Sequence, residues 1–478
     1  MSISSTLSTA LSGLTVASRA AEIASSNVAN ALTEGYARRE LELGARVTGG
    51  SGQGVSVRGI NRVIDRALLN DRRLADGSAA ERDLRAGFLK ALENALGAPG
   101  DAASLSARFA ALDTALLGAA SRPDSEARLD AVLQAVQTIA AQLRSTAALV
   151  QDARASADDR IAEEVAFVNG ALARVAELNT TIRTSLGSGR DASALLDQRQ
   201  QLVDAVARVV PLREVARDDG QVALYTTSGL TLLDGRPMEL GFAPVGPITP
   251  DMTLASGALS GLTLNGREFI AMGGTLAGHF ALRDDLAPAA QTRLDAVARD
   301  LVERFADPAV DATLAPGDAG LFTDAGGAFL PANETGLAQR LIVHPAADPA
   351  QGGALWRLRD GLAAPAPGPS GDGALPARLQ AALVAARQTV SGGFLPGARS
   401  AAGLAVDLAS GAASARLAAE SAASFAGARA GALKLQELQN GVDTDHEMQQ
   451  LLLVEQAYAA NAKVVQTVDE MLKILLGI

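Results

Sequence analysis

The sequence predicts a mainly α-helical protein with an inserted antiparallel β domain. Its architecture is a discontinuous long-helix bundle whose N- and C-terminal helices pair as a coiled coil. Three observations predict it: both ends carry an apolar heptad, long helical periods fill the segments inside them, and one interior stretch switches to strand periods with hairpin turns.

At the N-terminus Ile3, Leu7, Ala10, Leu14, Ala17, Ala21, Ala24 and Val28 advance in alternating steps of four and three, which places an apolar seam on one side of a helix. At the C-terminus Leu453, Ala457, Ala460, Val464, Thr467, Met471, Ile474 and Ile478 do the same. A second seam runs beside that one through Val454, Tyr458, Val465, Val468, Leu472 and Leu475. One partner helix cannot cover two seams. The C-terminal helix is therefore expected to be wrapped on more than one side, by the N-terminal helix and by other copies of the chain. The assembly interface expected from this pattern comprises Ile3, Leu7, Leu14, Val28, Leu453, Tyr458, Val464, Val465, Met471, Leu472 and Leu475.

Between the ends, Gly44 to Gly59 reads as a loop and short hairpin, with Val55 and Val57 alternating. From about Arg62 to Ile182 helical periods dominate. Ser121, Pro123 and Asp124 form a helix-start signal, after which Leu129, Val132, Val136, Ile139 and Leu143 mark one apolar face. Ile161, Val165, Val168, Leu172, Val175 and Ile182 mark a second, with a break expected near Asp152 to Arg160 and Asn179 as a polar insertion in the seam. After Pro211, Val222, Leu224 and Thr226 alternate, and Asp234-Gly235 and Asn265-Gly266 supply the positive φ angles of tight hairpins. A helix returns at about Pro288 to Phe305. An irregular stretch then leads to a Pro/Gly-rich linker, Ala363 to Pro376, and helix resumes from about Ala377. The domains expected are 1–43 with 435–478 as the terminal coiled coil; 44–210, 280–306 and 377–434 as the helical bundle; 211–279 as a separately folding β-rich outer domain; and 307–376 as irregular segment and linker.

Composition narrows the function. The 478 residues are 48% hydrophobic but only 3% aromatic, which favours helices packed through small side chains. A net charge of -11 with no basic run argues against nucleic acid or an anionic membrane as partner. No apolar stretch reaches spanning length, so no membrane insertion is expected. The first charge is Arg19, and the Ser/Thr-rich opening lacks a signal-peptide core; export would need a route that reads an uncleaved N-terminus. The chain has no cysteine, and His279, His344 and His446 are far apart, so neither a thiolate site nor a histidine metal site is indicated. Gly49-Gly50-Ser51-Gly52-Gln53-Gly54 lacks the Lys-Ser/Thr of a phosphate loop. Asp158-Asp159, Asp218-Asp219 and Asp284-Asp285 read as solvated charge. No catalytic residue and no cofactor are expected, and the chain is not expected to be an enzyme.

The segments Ser12-Gly13-Leu14, Asn27-Val28-Ala29-Asn30 and Thr33-Glu34-Gly35-Tyr36-Ala37-Arg38 resemble the N-terminal signature of the bacterial flagellar axial proteins, and the run from Glu455 to Val464, ending in Glu470-Met471-Leu472, resembles their C-terminal signature. The interior, Glu177 to Ile182 followed by Ala194-Leu195-Leu196-Asp197-Gln198-Arg199, is similar to the middle of the hook-associated protein 1 family, and Gly273 to Gly278 with Arg283-Asp284 adds a further match. The resemblance covers about half the chain and singles out Asn27, Asn30, Gly35, Tyr36, Leu195, Leu196, Asp197, Arg199 and Asn461. It implies a secreted structural subunit at the extracellular junction of hook and filament, exported by the flagellar type III apparatus. Its partners would be copies of itself, the hook protein on one side, a second hook-associated protein or the filament on the other, and an export chaperone on the C-terminal helix. Two alternatives stay open: a hook or distal-rod subunit of the same family, and an axial protein carrying a peptidoglycan hydrolase, against which the low aromatic content speaks.

The local readings of these residues are plainer. Asn30 and Gly35 suit a helix end and a turn through left-handed backbone angles, and Tyr36 and Tyr458 suit packing. Asn461 suits register setting, Arg38-Arg39 an exposed basic pair, and Leu195-Leu196-Asp197 a helix packing the bundle.

Overall fold

The computed structural model describes residues 3–33, 35–48, 51–98 and 100–477, with backbone alone at 48, 51, 52, 475 and 476. Glu34, Gly49, Gly50, Ile478 and the side chain of Leu475 thus lie outside the described residues.

Helix α1 (Ile3–Ala29) leads into a long antiparallel hairpin, β1 (Arg38–Thr48) and β2 (Ser51–Val63), in which Leu41 pairs with Ile60 and Leu43 with Val57. The expected domain edge at 43/44 falls inside β1, so this hairpin belongs with the terminal helix and not with the bundle. Helix α2 (Arg66–Leu96) is capped by Asp65, whose carboxylate accepts from Ala67 N and Leu68 N, and α3 (Leu105–Ser121) is capped by Ser104. Ser121 ends α3 instead of starting the next helix. Its hydroxyl bonds back to Gly118 O, and α4 begins one turn later, after Ser125.

Helix α4 (Glu126–Gly187) runs 62 residues without a break, about 93 Å at 1.5 Å per residue, and is the spine of the molecule. Its first half buries Leu129, Val132, Val136, Ile139 and Leu143 in a large core. Its second half buries Ile161, Val165, Val168, Leu172 and Val175 in another. The expected break near Asp152 to Arg160 is absent because the polar residues there are anchors. Arg154 donates to Arg283 O, Thr249 O and Met252 O, and fully buried Asp158 accepts from Arg283 Nη1 at 2.6 Å and from Val245 N at 2.7 Å. Asp158 is therefore no solvated charge, and neither is Asp284, which grips the same guanidinium.

Helix α5 (Ser193–Val209) precedes the sheet β3 (Leu212–Ala216), β4 (Val222–Thr226), β5 (Thr231–Asp234) and β6 (Arg236–Pro237), followed by β7 (Leu240–Gly241), β8 (Thr263–Leu264) and β9 (Arg267–Glu268). The turns fall where the sequence placed them: Gly235 has φ 74°, and Asn265 and Gly266 have φ 48° and 74°. The strands do not form a core of their own. Leu212, Leu224, Leu233, Leu240, Leu262 and Phe269 pack with Val168, Leu172, Val203 and Val206 of α4 and α5, so the sheet is a covering layer on the helices.

Helix α6 (Gly274–Ala281) passes through one wide turn, Leu282–Leu286, into α7 (Ala287–Phe305). The segment read as irregular linker is instead packed. The pair β10 (Phe322–Asp324) and β11 (Leu341–Val343), with short helices α8 (Leu337–Arg340) and α9 (Arg357–Asp360), places Leu321, Phe322, Leu337, Leu341 and Leu358 in the first core. Helix α10 (Ala374–Val384) and the small pair β12 (Arg387–Gln388) and β13 (Ala398–Arg399) interrupt the expected continuous helix. Helix α11 (Ala401–Gln439) then lies along α2, and α12 (Thr444–Leu476) lies along α1. The first and last parts of the chain meet twice, as the two matched ends require.

Candidate assembly interface

Helix α1 presents Ala10, Ala17 and Ala24, seven residues apart and all buried, with Ile3, Leu7, Leu14 and Val28 half-buried on the same side. Small side chains let α12 approach closely. At Gly13 a Cβ would come within 2.7 Å of Asn461 Oδ1, so a larger residue there would force that amide to shift. Gly13 faces Asn461, while Arg38 beyond the end of α1 reaches Glu447 near the start of α12 at 3.8 Å. The two helices are therefore antiparallel. Glu447 is buried and Arg38 also holds Glu40 at 2.5 Å, which removes the expectation of an exposed basic pair.

The two seams of α12 have different fates. Val468 is buried, and Val454, Asn461, Val465 and Leu472 are half-buried on the side facing α1. The parallel seam faces solvent, with Leu453 57%, Met471 52% and Ile474 79% exposed and Ala457, Ala460, Val464 and Thr467 exposed between them. Tyr458 sits on the covered seam by spacing, yet remains 49% exposed; a phenol keeps its hydroxyl in water when no buried partner is offered.

The turn after α1 is held by Asn27, which is fully buried. Its Oδ1 accepts from Tyr36 Oη at 2.8 Å and Arg39 N at 3.0 Å, and its Nδ2 donates to Arg39 O at 3.0 Å. One side chain thus fixes helix, turn and first strand together. Gly35 has φ 79° and packs on Gln201 of α5, where a Cβ would stand 2.6 Å from Cγ. Asn30 does not take the left-handed conformation; its Nδ2 caps Ser26 O at 2.9 Å instead.

Asp197 joins this end to the body. It accepts from Arg39 Nη2 at 2.8 Å and from Arg62 at 2.6 Å and 2.9 Å, clamping both strands of the first hairpin onto α5. Asp197 therefore does more than pack the bundle, whereas Leu195 and Leu196 do pack, against Leu178, Ile182 and Ala192. Arg199 donates to Asn179 Oδ1 at 2.8 Å and Gly220 O at 2.6 Å, and Asn179 Nδ2 bonds Val222 O at 2.9 Å, which ties α4, α5 and β4. Sequence reasoning missed a second anchor: Arg72 and Arg73 of α2 both bind Asp204, Arg73 also binds Glu214, and Arg72 also binds Glu437 of α11. Burial pushes the Glu437 carboxyl up, opposed by Arg72. Two adjacent arginines inside a helical stretch were the available signal.

The described side chains form two apolar stripes on α12, one covered by α1 and one exposed, mounted on a helical body. No helix among the described residues is long and apolar enough to cross a membrane.

Comparison with known proteins meets this geometry at three places. Residues 89–320 match the helical domain of the flagellar hook-associated protein FlgK, residues 439–478 the C-terminal segment of the flagellar basal body rod FlgEFG proteins, and residues 7–36 the flagella basal body rod protein family. Flagellar hook-associated protein 1 of Salmonella typhimurium is 29% identical over 240 residues, 49% of this chain and 43% of that protein. The Escherichia coli protein of the same name is 27% identical over 240 residues, 49% of this chain and 44% of that protein. The Bacillus subtilis protein is 25% identical over 250 residues, 49% of each chain. The chain thus spans less than half the length of the relatives it matches. The solved flagellar hook junction protein FlgK from Burkholderia pseudomallei is 19% identical, with a TM-score of 0.45 over 54% of this chain and 47% of that one.

Proposed function

We propose that this chain, which belongs to the flagellar hook-associated protein 1 (FlgK) family, is a structural, non-enzymatic subunit of the bacterial flagellum that joins hook to filament. The observation that carries the reading is the half-covered C-terminal helix. Helix α1 occupies one seam of α12, while Leu453, Val464, Met471 and Ile474 form a second that this chain cannot cover. Such a stripe gains burial only against another subunit, and repeated side by side it closes a ring or tube layer. The terminal module, α1 with its hairpin and α12, then lines the assembly, and the helical body and β-rich layer stand outside it. Copies of the chain are the lateral partners, with hook protein on one side and a second hook-associated protein or the filament on the other. Export follows the flagellar type III route with the N-terminus uncleaved, and a chaperone shields the free seam of α12 until assembly. The rod-protein matches attach only to the two ends, so they support the same mode of assembly and no separate rod reading.

The test is complementation of a strain lacking its own hook-associated protein 1. The chain carrying Val464→Asp with Met471→Asp should be exported and leave hooks without filaments, because a charge on that seam is buried only on assembly. Normal filaments on those cells would overturn the reading.

A further inference from the structure

The terminal module and the body share no apolar core. Among the described residues, every side chain in the three buried clusters belongs to the body, and none belongs to α1, β1, β2 or α12. A cleft of about 500 Å³ opens between the first hairpin and the body, with Ile60 on one side and Leu196 on the other. Two chain crossings join the parts. One passes from β2 through Ile64 and Asp65 into α2, and the other from α11 through Asn440 to Asp443 into α12. Each is a clean break, because Asp65 and Asp443 take extended backbone angles and cap the helix that follows. The crossings lie side by side. On the body side Arg72 of α2 meets Glu437 of α11; on the module side Arg38, opposite Val63 in the hairpin, reaches Glu447 of α12 at 3.8 Å.

Two adjacent crossings leave a module free to rotate about the line that joins them unless a third contact stops it. That contact comes from a separate helix, α5. Its Asp197 accepts from Arg39 Nη2 at 2.8 Å and from Arg62 Nη2 at 2.6 Å, and Gly35 rests on Gln201 beside it. We propose that Asp197 is a latch, which fixes the angle between the terminal module and the body and whose release lets the module swing as one piece about the paired crossings. The module moves as one piece because Asn27 ties α1 to the turn and β1, and α12 lies along α1. The latch is polar throughout. The Arg39 and Arg62 side chains are only 16% and 9% exposed, and without Asp197 the Gln200 amide offers Arg62 a neutral oxygen at 3.0 Å. A charge withdrawn from water without a partner is costly, so both guanidiniums would turn out to solvent and take the hairpin with them. Burial already pulls the Arg62 guanidinium down, with Asp197 acting against it. On the junction reading above, this angle sets how the body stands over the lining of the tube; the latch itself is a property of the single chain.

The chain has no cysteine, so Ala173→Cys on the exposed side of α4 and Glu455→Cys on that of α12 place one spin label on each side of the joint. Pulsed electron paramagnetic resonance of the full chain should give one narrow distance distribution. Adding Asp197→Ala should widen it at least about twofold while hydrogen exchange shows α4 as protected as before. Asp234→Ala, which removes the exposed partner of Arg217 on the β layer, should leave it unchanged. A distribution already broad in the parent chain, no widening in Asp197→Ala, or equal widening in Asp234→Ala would each overturn the proposal. Should Asp197→Ala cost α4 its protection, Arg39→Gln decides, because it frees one strand and leaves Arg62 on Asp197. Widening there with α4 intact supports the latch, and no widening overturns it. None of these outcomes bears on the junction reading, which is tested by incorporation through the α12 seam.

Discussion

The two halves of α4 and the terminal pair α1 with α12 use the same heptad grammar and reach opposite outcomes. Along α4, Val136, Ile139, Leu143, Ile161, Val168 and Leu172 are all withdrawn from water within one chain. Among the described residues of the terminal pair, only alanines and Asn27 of α1, and Glu447 and Val468 of α12, are comparably buried, while Met471 and Ile474 stand in solvent. A body helix finds its partners along the same chain; α12 has one partner for two stripes. On the junction reading proposed above, the difference separates residues that specify a fold from residues that specify an assembly.

The strongest way to break this comparison is to remove partners from the body. Replacing 212–271 with a Gly/Ser linker should unfold the second half of α4 and α5, because Val168, Leu172, Val203 and Val206 lose the strand side of their core. Hydrogen exchange should show protection lost from about Ile161 onward and kept around Ile139. Retained protection in both halves would show that the sheet is separable after all.

A smaller effect is expected at the polar belt between the two cores. Arg283→Leu leaves Asp158 buried with only the Val245 N–H, and breaking one side of a buried pair costs about 3–5 kcal/mol. Denaturant unfolding should report it; a loss near zero would mean that water replaces the guanidinium.

The body also carries a pH signature at a buried carboxyl of α7. Burial raises the Asp295 carboxyl to about 6, against the opposing bonds from Ala338 N, Gly336 N and Gln291. A folded-state pKa above the unfolded one means that the folded state binds the proton more tightly. This group's contribution is therefore fully present below about pH 4 and is lost as pH rises to about 6. Glu164, raised to about 6 by burial, acts in the same direction. Asp295→Asn should flatten that part of the stability profile in urea titrations between those limits, and an unchanged slope would remove Asp295 as its source.

How much of this was legible can be argued from particular residues. Periodicity located both faces of α4 and both stripes of α12, and the Asp234-Gly235 and Asn265-Gly266 dipeptides located the two hairpin turns. It failed at Asp158, Arg154, Asp197 and Arg38. A buried ion pair between residues separated by 125 positions, as in Asp158 with Arg283, leaves no local period. Charged residues in a helical stretch suggested a break where they were in fact attachment points. It failed also from 307 to 376, where Phe322, Leu337 and Leu358 reach the core from a three-residue strand and single-turn helices too short to repeat. Asn27, Tyr36 and Asp197 stood out only through the family resemblance, and the hydrogen bonds show why those residue types are needed: one amide that both donates and accepts, one carboxylate that takes two guanidiniums.

The smallest expected change on the monomer is also the sharpest form of the comparison, since it lies within one helix. Val468 and Val464 are one turn apart on α12, the first 4% exposed against α1 and the second 39% exposed on the free seam. Val468→Asp buries a charge in the α1 contact and should release α12 from α1, seen as accelerated exchange of its amides and early proteolysis after about Gln439. Val464→Asp places its charge in water and should shift monomer stability by no more than about 0.5 kcal/mol, the usual range for exposed positions. Both should abolish incorporation at the hook tip, but for different reasons: one dismantles the terminal pair, and the other leaves it whole and spoils only the face it offers to a neighbour. If Val464→Asp loosened α12 in the monomer as much as Val468→Asp, the two seams would not be independent, and the free one could not be set aside for assembly.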